Sequence, residues 1–251
     1  MRVNRALGVL FGLVLVPALA VAQDYEMYET QYLAVRPGHA KQFNEGIKAH
    51  NDRFHGSGPY RATVWYVANG AHSGQVFWAM GPCTFTDLDS RPAGAEHEGD
   101  WADNVLAHAE QGETQYWRLD PELSYRPDTN PRSKMRVRIQ DIERFEGYRF
   151  RELRAKAKKL MEAKKYPDPF LVFRSATQSG TGRDVALVRA FDNWAALDRE
   201  GTWRADFEEV HGPGSWRHFL MEVEEVVRHS EDELHELMPE LSAPPPAASD
   251  R

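Results

Sequence analysis

The sequence has little cysteine, little net positive charge and none of the short motifs that announce a reaction. Cys83 is the only cysteine in 251 residues, so the chain cannot form an internal disulfide, and its stability must come from a packed core. Cys83 itself reads as a small buried residue. The net charge of −7 excludes a nucleic-acid partner, whose phosphates demand a basic surface. Beyond residue 22 no stretch is apolar enough to span a membrane. There is no Gly-x-Ser-x-Gly elbow, phosphate loop, dinucleotide fingerprint, HExxH or paired Cys-x-x-Cys.

What is present begins with an export signal. Arg2 and Arg5 give a positive start, residues 6–16 carry no charge, and Ala20-Val21-Ala22 is a small-x-small cleavage site. The apolar stretch is shorter than the roughly 20 residues a spanning helix needs. Residues 1–22 are therefore expected to be a cleaved signal peptide, with a periplasmic or secreted protein starting near Gln23. Removing 22 residues from 251 leaves 229, enough for one large domain or two small ones.

The remainder divides into two halves of similar order, residues 23–126 and 135–241, across a Pro-rich linker at 127–134. Residues 242–251, with Pro244-Pro245-Pro246, read as a disordered tail. In the first half a strand at 28–35 meets Pro37-Gly38. A helix follows, with Ala40, Phe43, Ile47 and Phe54 on one face. Strands at 61–68 and 75–80 form a hairpin, a helix is expected over 101–110, and a strand closes at 114–119. The second half repeats this with a strand at 135–142, a helix marked by Phe150, Leu153, Ala157 and Leu160, and a hairpin at 170–176 and 184–190. A helix at 215–229 and a strand at 232–237 complete it. The hairpins superpose at a shift of 109, pairing Val76 with Val185 and Leu88 with Leu197. Pro121-Glu122-Leu123-Ser124 recurs as Pro239-Glu240-Leu241-Ser242. Each half is thus a ferredoxin-like β-α-β-β-α-β unit.

If Val67 pairs with Val76, one hairpin face carries Thr63, Trp65, Val67, Val76, Trp78 and Met80, and the other Val64, Tyr66, Phe77 and Ala79. Both faces are apolar, so both are expected to be covered, one by helices and one by the sheet of the other half. The fold class expected is α+β, with two tandem ferredoxin-like repeats closing one intramolecular barrel. At this point, with the strand and Pro-Gly turn of residues 28–43, the sequence resembles the dimeric α+β barrel superfamily. The likeness is to its NIPSNAP-type and antibiotic-biosynthesis-monooxygenase-like members, in a fused two-repeat form. That resemblance implies a site between sheet and helices. It admits cofactor-free oxygenases, haem-degrading enzymes and chlorite dismutases as relatives, so haem is allowed though nothing in the sequence requires a cofactor. Fusion of the repeats allows a monomer as well as a homodimer.

His50 interrupts the apolar stripe of the first helix, with Asn51 beside it and His55 a turn later. A histidine on such a face can serve as base or ligand, so His50 and Asn51 are the catalytic candidates. On the sheet-to-helix geometry His50 would face Tyr66 and Phe77, with Trp101 and His108 bordering the same cleft. The equivalent place in the second half is near Leu160. The run Glu96-His97-Glu98-x-Asp100 reads as a solvated acidic loop, because consecutive residues do not converge on one ion by themselves. No metal site is assigned. Arg174 and Arg189 align with Trp65 and Met80 and need carboxylate partners or a bound anion. The cluster Lys156, Lys158, Lys159, Lys164 and Lys165 reads as a solvated face. The function expected is binding of a small apolar or aromatic molecule without assumed turnover. The alternatives are a cofactor-independent monooxygenase or haem enzyme, and a non-catalytic envelope protein.

Overall fold

A computed structural model describes residues 25–92, 94–127, 132–177, 182–198 and 201–244. The expected signal peptide, half of the linker and most of the tail lie outside them. Among the described residues no helix is long and apolar enough to cross a membrane.

The first half contributes strands β1 (Met27–Val35), β2 (Ala62–Asn69), β3 (Val76–Cys83), β4 (Ala109–Gln111) and β5 (Gln115–Leu119), with helices α1 (Ala40–Phe54), α2 (Phe85–Leu88) and α3 (Ala95–Trp101). The second contributes β6 (Lys134–Ile142), β7 (Phe170–Ser175), β8 (Val185–Phe191) and β9 (Val227–Leu237), with α4 (Gly147–Lys164), α5 (Trp203–His211) and α6 (Ser215–Val226). The order β3-β2-β9-β6-β8-β7-β5-β1 returns to β3 through a β1–β3 pairing, so eight antiparallel strands close a barrel. The short β4 pairs with β1 beside β5. Each half runs in the same internal order, β2-β3-β1-β5 and β7-β8-β6-β9, and the halves join where the last strand of one meets the hairpin of the other, at β5–β7 and β9–β2.

The repeated Pro-Glu-Leu-Ser segments sit at these two joints and do the same work. Ser124 accepts a hydrogen bond from the Val172 amide at 2.9 Å and donates to the Asp120 carbonyl. Ser242 accepts from the Val64 amide at 2.8 Å and donates to the Met238 carbonyl. Leu123 and Leu241 are both buried. Each segment therefore pins the hairpin of the opposite half. This places Ser242 to Pro244, expected in a disordered tail, against the barrel: Ala243 N bonds Ala62 O, and Arg61 donates to the carbonyls of Ala243 and Pro244.

Three apolar clusters fill the fold. Phe43 and Ile47 of α1 pack on Val64, Trp78 and Met80 outside the first half of the barrel. Phe150, Leu153 and Leu160 of α4 pack with Phe207, Phe219 and Leu187 outside the second. Trp65, Trp117, Val137, Ile139, Ala186 and Val188, all from strands, fill the barrel itself. Both hairpin faces are covered, as their apolar character requires. The register differs by one residue from the expected one, however: Tyr66 pairs with Val76, Trp65 with Phe77 and Val64 with Trp78. A one-residue slip moves a whole strand's side chains to the other face. Trp65 and Trp78 are both buried, yet Trp65 looks into the barrel and Trp78 toward α1.

The helix expected over 101–110 is another departure. Helix α3 ends at Trp101, a single π turn follows over Ala102–Leu106, and the chain then enters β4. Gly46 explains how the turn fits against α1, since a Cβ there would lie 1.8 Å from the Asn104 carbonyl oxygen. In the second half, α5 has no counterpart in the expected elements. The strand β9 begins at Val227, inside the stretch expected to be helical.

Candidate functional site

The 3.6-residue period of α1 puts Phe43, Ile47, His50 and Asn51 on its buried face. His50 is wholly buried, and its ring lies 4.8–5.1 Å, centroid to centroid, from those of Phe54, His55, His97 and Trp101. Thus α1 supplies His50, its C-terminal cap supplies His55, and α3 supplies His97 and Asp100. The three histidines each offer a ring nitrogen, and no two of these nitrogens are more than 4.8 Å apart.

Hydrogen bonding fixes the tautomers. His50 Nδ1 lies 2.7 Å from Asp100 Oδ2, and His55 Nδ1 lies 2.9 Å from the Tyr60 carbonyl oxygen. Carbonyls and carboxylates only accept, so both imidazoles donate from Nδ1 and keep a lone pair on Nε2. His50 Nε2 is buried and has no hydrogen-bond partner among the described residues. His55 Nε2 sits 3.2 Å from His97 Nε2. Two imidazoles on a tetrahedral ion with nitrogen distances of about 2.0–2.1 Å would be about 3.3 Å apart, so that pair already has the spacing of two ligands. Outer carboxylate and carbonyl partners on Nδ1 are the usual support of metal-binding histidines.

The electrostatics agree. Burial lowers His50, only partly opposed by its bond to Asp100; burial also takes His55 down to about 4 and lowers His97. The rings stay neutral, as ligands must. Asp100 is lowered overall: its partial burial acts upward, but the bonds from His50 and Asn104 outweigh it. An Arg53–Glu96 ion pair ties the end of α1 to the start of α3.

Of the residues expected around the cleft, Trp101 stands against His50 and donates to Gln111 at 3.3 Å. Asn51 is committed to structure: it accepts from Trp78 Nε1 at 3.0 Å and donates to the Leu241 carbonyl. Tyr66 is exposed at the end of the hairpin. Phe77 looks into the barrel, 5.1 Å from Tyr32 and 5.0 Å from His235, away from His50. His108 pairs with His39 at 3.0 Å. The structure gathers His50 and Trp101, adds His55, His97 and Asp100, and leaves Tyr66, Phe77 and His108 elsewhere. The sequence signal for the additions was the His50–His55 spacing and the His97-x-x-Asp100 run. What it lacked was the packing of α3 on α1.

A second polar centre, absent from the sequence reading, lies inside the barrel. Glu233 is fully buried, accepting from Tyr32 Oη at 2.7 Å, His235 Nε2 at 2.8 Å and His72 Nδ1 at 2.5 Å. Burial alone would raise its carboxyl, but those three bonds overcome it and hold the group at about 2. Gly70, at φ +105°, presses on this strand: a Cβ there would lie 2.6 Å from the Asp232 carbonyl oxygen and 2.7 Å from Glu233 Cγ. Arg174 and Arg189 both meet carboxylates, Asp120 at 3.1 Å and Asp168 at 2.7 Å. Burial pushes the Cys83 thiol up to about 11, consistent with a packed residue.

The second half has a cavity of about 530 Å³ between the sheet and helices α4, α5 and α6. Its lining contains no histidine or cysteine, and the Tyr166 hydroxyl is taken up by Asp206. Among the described residues, that lining offers a haem no histidine, cysteine or unoccupied tyrosine ligand.

No family model matches the chain, and no curated protein matches it by sequence. Solved structures do match its shape. An anthrone oxidase-like protein aligns with a TM-score of 0.57 and 13% identity, over 86% of this chain and 92% of its own. A proposed monooxygenase from Lactobacillus acidophilus gives 0.54 and 13%, over 85% and 94%. Chlorite dismutase from Candidatus Nitrospira defluvii gives 0.52 and 9%, over 86% and 93%. At these identities the likeness defines the fold alone: a mixed α+β fold with a closed eight-stranded antiparallel barrel, of the kind found in dimeric α+β barrel proteins.

Proposed function

We propose that this chain is an exported α+β-barrel metalloprotein that holds one divalent transition-metal ion on Nε2 of His50, His55 and His97. The observation that carries the reading is that one ring nitrogen of each histidine lies within 4.8 Å of the others, while Asp100 and the Tyr60 carbonyl bond Nδ1 of His50 and His55. Three protein ligands are the count of a site that keeps a coordination position open, whereas closed structural sites use four. The reading therefore favours an enzyme over an envelope structural protein. The barrel shared with the anthrone oxidase-like protein, the proposed monooxygenase and chlorite dismutase supports oxidative chemistry as the direction to look. Metal-free mature protein titrated with Co²⁺ should develop visible ligand-field absorption that saturates at one equivalent and is abolished in His55→Ala. Absorption indistinguishable between the two proteins would count against the site.

The fused two-repeat origin belongs to the same proposal. The matching strand orders and the paired roles of Ser124 and Ser242 support it. Export is a further part of the proposal: mature protein recovered from its own envelope should begin at or near Gln23, and intact Met1 in a membrane fraction would contradict the cleavage. A second reading, binding of a small apolar molecule, is favoured by the 530 Å³ cavity of the second half, a volume within the usual range for ligand pockets.

A further inference from the structure

The second-half cavity has apolar walls and a cationic floor. Phe150, Leu153, Trp203, Trp216 and Phe219 come from the helices, whereas Arg136 and Arg138 of β6 and Arg189 of β8 rise from the sheet. Those three share two carboxylates: Asp232 pairs with Arg136 and, through two 2.8 Å bonds, with Arg138, and Asp168 pairs with Arg189. Arg154 of α4 also lines the cavity and forms no ion pair among the described residues. Among the described residues its Nε is buried without a hydrogen-bond partner, and its guanidinium stacks on Phe170, 4.8 Å from the ring centroid. Burial, with the neighbouring charge of Arg138, pulls its pKa down to about 10. A half-buried guanidinium with no counter-charge among the described residues is costly to keep. No pairing role within the fold accounts for it.

We infer that the cavity takes an amphipathic monoanion, a carboxylate on an apolar chain or ring, with the carboxylate on Arg154 and the apolar part between α4, α5 and α6. The inference rests on the second reading, that the cavity binds a small apolar molecule, and adds the charge that selects it. A carboxylate is the planar acceptor that a guanidinium matches with two parallel bonds. It would also supply the counter-charge that the fold gives to Arg136, Arg138 and Arg189 but withholds from Arg154. A cationic amphiphile would meet the floor charge with the wrong sign. A neutral one would leave Arg154 as it stands.

The test compares three probes of equal chain length, decanoate, 1-decanol and decyltrimethylammonium. Binding to the mature protein is measured by calorimetry and by the fluorescence of Trp203 and Trp216. Decanoate should saturate one site and bind at least about tenfold more tightly than decanol, the advantage expected of a charge-assisted bond. Decyltrimethylammonium should be weakest. Arg154→Met should bring decanoate to the level of decanol, and Arg154→Lys should restore part of the difference. Leu153→Trp, which fills the cavity, should remove binding of both. Equal affinity for decanoate and decanol in the unaltered protein would overturn the assignment of charge while leaving the cavity as an apolar site. Absence of saturable binding by either would overturn the cavity reading and the inference together, and decanoate binding that survives Leu153→Trp would place the ligand elsewhere.

Discussion

Replacing Asp100 with asparagine should lower the metal affinity of the proposed histidine site about 10- to 100-fold, the range found when an outer carboxylate is removed from a metal-bound imidazole. Asp100 Oδ2 accepts a hydrogen bond from His50 Nδ1–H at 2.7 Å and so keeps the lone pair on Nε2, the proposed ligand atom. Asparagine offers that position either a weaker acceptor or an amide donor. The donor would turn the tautomer over and put a proton where the lone pair is needed. Asp100 is partly exposed, so the fold should tolerate the change. His108→Ala supplies the contrast: His108 bonds His39, not the cluster, and its loss should leave affinity unchanged. Competition with a chromophoric chelator measures both, and equal effects of the two substitutions would argue that Asp100 does not act through His50.

The barrel loses stability in acid through Glu233. Its folded value of about 2 lies below the ordinary 4.5. A group depressed in the folded state contributes stability that is full above the unfolded value and is lost as pH falls through the folded one. The window therefore runs from about pH 4.5 down to about 2, and at 1.36 kcal/mol per unit the share at stake is roughly 3 kcal/mol. Glu233→Gln should be less stable than the parent at pH 7, because Tyr32, His72 and His235 then share a weaker acceptor. It should also lose less on acidification. Asp232 is held at about 2 as well: burial acts upward, but bonds from Arg138 and Arg136 prevail, so some acid sensitivity remains in the variant. Urea unfolding at pH 7 and pH 3 measures the difference. Parallel losses in the two proteins would remove Glu233 from the explanation.

Much of the architecture was legible because it rests on local chemistry. The Pro37-Gly38 break, the stripe of Phe43, Ile47 and His50, and the two-sided apolar hairpin predict β1, α1 and a covered sheet, and all three are present. The same two-sided character hid the register. When both faces of a strand are apolar, alternation no longer says which residue points where. Alternation alone thus puts Trp65 with Trp78 on one face and Tyr66 with Phe77 toward His50, whereas the observed register pairs Trp65 with Phe77 and Val64 with Trp78. The loop between them is closed by Gly74 N on the Val67 carbonyl, a turn geometry that composition alone does not specify.

His50 was visible as a polar break in an apolar face. His97 was not, since it sits among Glu96, Glu98 and Asp100, and such a run looks solvated until α3 is laid on α1. That packing depends on the π turn and on the missing side chain at Gly46, both facts of tertiary structure. Glu233 and His235 alternate with Leu237 on one face of β9. Their period announces a strand. Only closure of the barrel puts that face inside and makes the carboxylate a buried one with three donors.

The measurement that bears most directly on the central claim is anomalous diffraction from crystals of the mature protein grown with Zn²⁺. The account predicts one strong peak about 2.0–2.1 Å from Nε2 of His50, His55 and His97. It also predicts that His50 Nδ1 remains bonded to Asp100. Peaks confined to surface carboxylates, with His55 and His97 still hydrogen-bonded to each other, would contradict it.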